Sequence, residues 1–350
     1  SITASGEKKW QYFGVPVTSI SALPAFEGAY VRKWNETGDY NSKTNPIWTA
    51  LTNSSELLPV HGYEISQKNP VIYQLPGTLF NGNISFPLSY TSAADYRGNH
   101  IVSNPYTAAI NIKNLTTIGT NIESTVFLYN TGSFSEWGGG NGGSGSVKES
   151  AGGYTSIPVN QSGYAGLATS IPSMQGFMVK VNAASTLNIP YSSVIKNEQP
   201  QRAKQEQDSK VYSIISLVGK DTIDRAWIFT EAHCSEGFDD GWDGTKLADK
   251  NATQIFIAEK HGNMQVSSKD KLHGSYISVV APAGEALSLK FTQHDPQQIY
   301  SRIFLSDLVT GKTIDISEDN SECQFTASED DSRRFLVSTV ACSLQGSETE

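Results

Sequence analysis

The densest group of chemistry-bearing side chains lies between residues 231 and 244. Glu231, His233 and Cys234 are followed there by Glu236-Gly237-Phe238-Asp239-Asp240-Gly241-Trp242-Asp243-Gly244. Asp239, Asp240 and Asp243 supply hard carboxylate oxygens in a turn-rich setting, so Ca2+ is the one cofactor the sequence suggests. The spacing departs from an EF-hand loop, because the position for its closing glutamate falls on Lys250. The competing reading is a turn whose Asp side chains cap neighbouring backbone amides. Carboxylate pairs such as Glu231 with Asp239 could also serve glycoside hydrolysis. Cys234 directly follows His233, but sequence neighbours do not make a spatial dyad. Gly142-Gly143-Ser144-Gly145-Ser146 comes near the G-x-S-x-G nucleophile motif without matching it. The histidines show neither H-x-x-x-H nor H-E-x-x-H spacing, which argues against a zincin. No catalytic residue is therefore assigned.

Aromatic side chains are the second candidate group, since Tyr and Trp stack on sugar rings and on proteins alike. Trp137 and Trp242 sit on glycine-rich loops and are the expected ligand contacts. Trp10, Tyr12, Tyr30 and Trp34 alternate within expected strands, so at least half of them are expected in the core.

The elements that must position these residues are strands. Only 17% of the 350 residues are charged, below the roughly 25% of an average soluble domain. Glycine (30) and tyrosine (15) are plentiful, as expected of short strands joined by turns. Alternation predicts strands at 10–17, 26–34, 60–65, 70–75, 84–90, 100–102, 108–112, 124–129, 163–168 and 176–181. Asn81-Gly82 predicts a hairpin turn before 84–90. Further strands are expected at 211–218, 225–230, 254–258, 276–281, 286–292, 301–306 and 335–341. Long amphipathic helices are not expected in either half.

Residues 1–200 carry 11 basic and 11 acidic side chains, so the net charge of −9 lies entirely in residues 201–350. Residues 198–210 hold no aliphatic side chain larger than alanine and read as a polar linker. The expected organisation is all-β. Two antiparallel β-sandwich, jelly-roll-like domains occupy 1–197 and 211–345, the second acidic. The acidic balance argues against nucleic-acid binding. No apolar run is long enough to span a membrane. The glycine-rich stretch 131–153 lacks Gly-Lys-[Ser/Thr], which excludes a phosphate-cradling loop. Cys323 and Cys342 flank a hairpin-length segment, so a disulfide between them stands beside three buried thiols as alternatives. The six N-x-[ST] sequons, starting at Asn35, Asn53, Asn83, Asn114, Asn160 and Asn251, carry meaning only in a eukaryotic secretory setting.

Several ordered motifs carry more than composition does. Gly98-Asn99-His100-Ile101-Val102 followed by Asn104-Pro105-Tyr106-Thr107-Ala108-Ala109-Ile110 resembles a "G-x-x-L-x-G-N-P-Y-x-x-x-I" stretch of large exported Bacteroidetes proteins. Trp10-Gln11-Tyr12-Phe13-Gly14-Val15-Pro16 is similar to their "W-x-x-x-G-x-P" strand. Gly62-Tyr63-Glu64-Ile65 and Gly176-Phe177-Met178-Val179-Lys180 resemble their "G-Y-x-I" and "G-F-x-V-K" strands. Arg225-Ala226-Trp227-Ile228 with the segment Gly237 to Leu247 resembles "R-x-W-L … G-x-D-x-x-x-D-x-x-K-L", and Arg334-Phe335-Leu336-Val337 a closing "R-F-x-L" strand. The resemblance covers about residues 10–342. It implies a C-terminal all-β module of a longer surface or secreted protein exported by the type IX secretion system. The family's usual sorting domain, with its "G-[KR]-x-V" strand, is not seen, which implies a processed or truncated fragment. The expected function is a non-enzymatic module for adhesion, surface-layer assembly or ligand presentation, with a surface protein or a glycan as partner. The alternatives are a carbohydrate-binding module, a glycan-degrading enzyme, or an accessory domain of a larger exported enzyme.

Overall fold

The computed structural model describes residues 10–67, 71–115, 118–130, 148–149, 153–195, 210–220, 222–248 and 252–342. The chain forms two compact units, residues 1–146 with 151–203, and residues 147–150 with 204–350. Of the expected linker, only Lys210 is among the described residues. Both units are built mainly from antiparallel strands, and the helices described are single short turns such as Ala22–Ala25. No described helix is long and apolar enough to cross a membrane.

The first unit contains two four-stranded sheets. One takes the order β1-β4-β2-β3, with β1 Gln11–Phe13, β2 Tyr30–Trp34, β3 Trp48–Ala50 and β4 Tyr63–Ser66. With β5 Ile84–Leu88, β6 Asn99–Ser103, β7 Thr125–Tyr129, β8 Tyr154–Pro158, β9 Gly176–Lys180 and β10 Ser185–Ile189, the other takes the order β8-β7-β9-β6, while β5 pairs with β10. Glycines let the two sheets touch. A Cβ on Gly62 would meet Ile101 at 2.5 Å, and one on Gly176 would meet Tyr12 at 2.7 Å. These are the glycines of the G-Y-x-I and G-F-x-V-K strands. The N-P-Y stretch is a tie point. The Asn104 side-chain amide donates to the carbonyls of Ala108, Ile171 and Pro172, and its Oδ1 accepts from Tyr106 N.

Three local expectations for this unit are corrected. Residues 71–75 form no strand, being bounded by Pro70 and Pro76. Residues 163–168 turn instead of extending, with Gly163, Ala165 and Gly166 at φ of 81°, 52° and 78°. Asn81-Gly82 makes no hairpin, because residues 78–80 bond back to Pro16 and Thr18 and β5 pairs with the distant β10.

The second unit is one large sheet. Its strands are β11 Val211–Val218, β12 Thr222–Thr230, β13 Gln254–Glu259, β14 Gly262–Lys269, β15 Tyr276–Val280, β16 Ala286–His294, β17 Tyr300–Asp307, β18 Thr313–Asp315, β19 Glu322–Thr326 and β20 Asp331–Ala341. They run β18-β17-β20-β15-β13-β14-β12-β11-β16-β19, with only β12 and β14 parallel along that path. Lys148–Glu149 adds a short parallel pairing on β12. Nearly every strand sends alternate residues into one cluster, among them Ile215, Ile228, Ile257, Ile277, Leu289, Ile303 and Phe335. The sheet therefore closes over a single core, as a sandwich does.

Candidate functional site

The acidic loop is a knot of caps. It leaves β12 after Thr230 and returns as the short pair Gly244–Thr245 against β14. Asp239 Oδ2 accepts from Ser235 N at 2.6 Å and Ser235 Oγ at 3.0 Å. Asp243 is 2% exposed and accepts from Asp239 N at 2.8 Å and Ser268 N at 2.7 Å. Both carboxylates thus face backbone amides, the turn chemistry expected of Asp. Asp240 is exposed beside them. Among the described residues no group of three His, Cys, Asp or Glu is placed to hold a metal ion. Burial pushes the Asp243 carboxyl up to about 7 against the two amide bonds. Burial, with Asp239, Glu231 and Asp243 nearby, pushes the Cys234 thiol up to about 12, the opposite of an activated nucleophile.

Around this loop the charges are paired. Lys210 holds Glu231 and lies 4.9 Å from the Trp242 ring centroid. His233 meets Trp242 edge-on at 4.3 Å. Trp242 is half-buried against these groups. Lys269, itself buried, pairs with Glu259 at 2.7 Å. Glu231 and Asp239, the carboxylates weighed for glycoside hydrolysis, are each engaged by a partner in the loop region. The second loop candidate, Trp137, lies outside the described residues.

The disulfide expectation is corrected. Cys323 and Cys342 are free thiols, as is Cys234. The segment between them is not a hairpin: β19 and β20 do not pair, since β19 lies beside β16 and β20 between β17 and β15. Cys323 stands opposite Leu289, and Cys342 Sγ approaches the Gln297 carbonyl at 3.3 Å.

A group that the sequence only half disclosed lies on the first unit. Phe13, Val31, Tyr63 and Ile65 pack into one core from the β1-β4-β2-β3 sheet. Strand alternation then sends Tyr12, Tyr30, Arg32, Trp34 and Glu64 to the other face. Register lines up Tyr12, Glu64, Arg32 and Ala50 across the four strands, and Trp34 opposite Trp48. Arg32 sits 3.8 Å from the Trp10 ring centroid and 5.7 Å from those of Tyr30 and Trp48. Beneath it lies Glu64, 2% exposed and ion-paired to Arg32. Tyr12 stacks on Tyr129 with centroids 4.7 Å apart, and its hydroxyl meets that of Tyr154 at 2.8 Å. Burial pushes Glu64 up to about 8 despite the pull of Arg32. Burial also raises Tyr12 and Tyr154, which stay neutral phenols. Trp10, Tyr12, Tyr30 and Trp34, at least half of them expected in the core, are all half-buried and share the face of Arg32 and Glu64. The alternation of Trp10, Tyr12, Tyr30 and Trp34 was visible; the convergence on Glu64 and Arg32 was not, because it depends on strand order.

Comparison with known proteins adds a context. A family model described as "Domain of unknown function (DUF8693)" matches residues 4–338. The chain is 34% identical over 355 aligned positions to the Minor fimbrium subunit Mfa5 of Porphyromonas gingivalis, covering 95% of this chain but 28% of that protein. No solved structure gives a significant match.

Proposed function

The chain belongs to the DUF8693 family, and from that premise we propose that it is a non-enzymatic, cell-surface or extracellular module of a fimbria-associated adhesion apparatus. The observation that carries this reading is the alignment of 95% of the chain with a fimbrial subunit. Because the chain spans 28% of that subunit's length, the module is read as one part of a longer protein whose partners include other surface proteins. The motif resemblance supports the same setting, a Bacteroidetes surface reached by type IX secretion. A rigid all-β frame with loops closed by their own caps suits presentation of a surface. Immunogold labelling and protease shaving of intact producing cells test the proposal. Surface label on fimbriae, and weaker adhesion after deletion of the gene, are expected. Protease protection in intact cells, or unchanged fimbriae and adhesion in the deletion strain, would overturn it.

Carbohydrate recognition is the second reading. The ring-framed Arg32 and Glu64 favour it, because half-buried Trp and Tyr rings offer flat faces that a pyranose can cover.

A further inference from the structure

The carbohydrate reading leaves the class of sugar open, and the charged centre of the aromatic face narrows it. Among the described residues, Arg32 is the cation at the middle of that face. Its Nη2 meets Glu64, its Nε is buried without a hydrogen bond, and 24% of its side chain is exposed, which leaves Nη1 as the donor a ligand can reach. Its guanidinium is flanked by the rings of Trp10, Tyr30 and Trp48. A guanidinium is a fork of five donors matched to a carboxylate. The carboxyl below it is buried, and burial holds it protonated near pH 7. With Glu64 neutral, the Arg32 charge is not offset by its partner. The titratable groups facing Glu64 are Arg32 from β2, Tyr12 from β1 and Tyr154 from β8, and both phenols are held neutral.

We propose that the Trp10–Tyr30–Arg32–Trp48 face binds an acidic saccharide, with the sugar carboxylate on the Nη1 end of the Arg32 guanidinium and the C–H face of the pyranose on the surrounding rings. This rests on the carbohydrate reading. A uronic or sialic acid residue presents a carboxylate and an apolar ring face in one unit, which is what a ring-framed guanidinium can hold at once. An acidic peptide offers the carboxylate but not the rigid ring face.

The test uses the full chain in titration calorimetry. The probes are N-acetylneuraminic acid oligosaccharides, glucuronic acid oligosaccharides, neutral N-acetylglucosamine oligomers and a poly-glutamate peptide. Binding to at least one acidic saccharide is expected, with neutral oligomers at least about tenfold weaker. Arg32→Gln is expected to lose about tenfold or more on the acidic probe, and Trp48→Ala to weaken acidic and neutral probes alike. Glu64→Gln is expected to show the same affinity at pH 7 and pH 9, whereas the wild type weakens between them. Circular dichroism establishes that each variant is folded. Equal binding of neutral and acidic oligomers overturns the acid preference and leaves the carbohydrate reading standing. Stronger binding of poly-glutamate overturns the saccharide class. No saccharide bound by the folded wild type overturns both. Undiminished acidic binding in folded Arg32→Gln moves the site elsewhere and also overturns the proposal.

Discussion

Asp243 offers the sharpest test of what the acidic loop is for. Its two carboxylate oxygens accept from Asp239 N at 2.8 Å and Ser268 N at 2.7 Å, and the residue is 2% exposed. Asp243→Ala removes the acceptor of both amides in a site too closed for easy replacement by water. Each hydrogen bond to a carboxylate contributes about 1.5–3 kcal/mol, and an orphaned buried amide costs a similar amount. Some relaxation of the loop tip lowers the sum. A loss of about 2–4 kcal/mol in the second unit is therefore expected. Urea unfolding followed by tryptophan fluorescence measures it, in EDTA and again with calcium. If the carboxylates are caps, the loss is the same in both buffers and calcium leaves the wild-type midpoint unchanged. A loss below about 1 kcal/mol in EDTA, or a wild-type midpoint that rises with calcium and no longer does so in Asp243→Ala, would refute the capping argument. pH supplies a second handle. Folding raises the Asp243 carboxyl from 3.8 to about 7, so the folded chain binds the extra proton. The contribution of Asp243 is present at acid pH and is lost as pH rises from about 4 towards 7. Asp243→Asn, which has nothing to titrate, should flatten that slope.

Other outcomes follow from buried charge and from the thiols. Arg334 is 4% exposed and holds Asp307 through two bonds of 3.0 and 2.9 Å, with Asp331 at 3.0 Å. Arg334→Met strands two carboxylates and should cost about 3–5 kcal/mol, read as a lower urea midpoint; a shift within error would contradict it. Burial lowers His61, helped by Lys33, and burial likewise lowers His100. Both are neutral when folded, so the first unit should lose stability as pH falls through their ordinary 6.5. In His61→Phe with His100→Asn that acid slope should shrink, measured by thermal melts between pH 7 and 5. Unreduced protein should show the mass of three free thiols, and alkylation of the folded chain should mark Cys342 first, since it alone is exposed. A mass lower by two hydrogens would restore the Cys323–Cys342 disulfide.

The all-β class was legible because alternation and turn residues act locally. Val211–Val218 is an example: its residues alternate buried and half-buried along the whole strand. What stayed hidden includes a strand that is polar and buried at once. β14 reads Gly-Asn-Met-Gln-Val-Ser-Ser-Lys and looks like a loop, yet its last six residues are all buried. It is covered on both faces, and its polar groups are answered by the neighbouring strand β13 and by the acidic loop. Ser267 Oγ donates to Glu259, Ser268 Oγ to the Trp242 carbonyl, and Lys269 pairs with Glu259. Hydrophobic periodicity cannot register a strand whose burial is made acceptable by hydrogen bonds.

The candidate sites divide along the same line. The acidic loop was legible as a loop, and its capping role was one of two readings that Asp-rich turns always allow. The aromatic face needed more. Trp10 and Tyr12 on one strand, and Tyr30, Arg32 and Trp34 on another, share a face by simple alternation. Alternation alone does not say which face meets the core. The missing clue was in β4, where Glu64 stands between Tyr63 and Ile65. A strand that sends Tyr63 and Ile65 inward must send Glu64 the other way, and pairing with β1 and β2 then places that carboxylate under Tyr12 and Arg32. Glu64 is covered by Arg32, and beside it Tyr129 and Tyr154 arrive from strands more than sixty residues further on, Tyr129 stacked on Tyr12 and Tyr154 bonded to its hydroxyl. A buried acid beneath a partly buried arginine costs folding free energy that an apolar pair would not. The proposed binding of an acidic saccharide would give that cost a purpose, since perturbed groups cluster at functional sites.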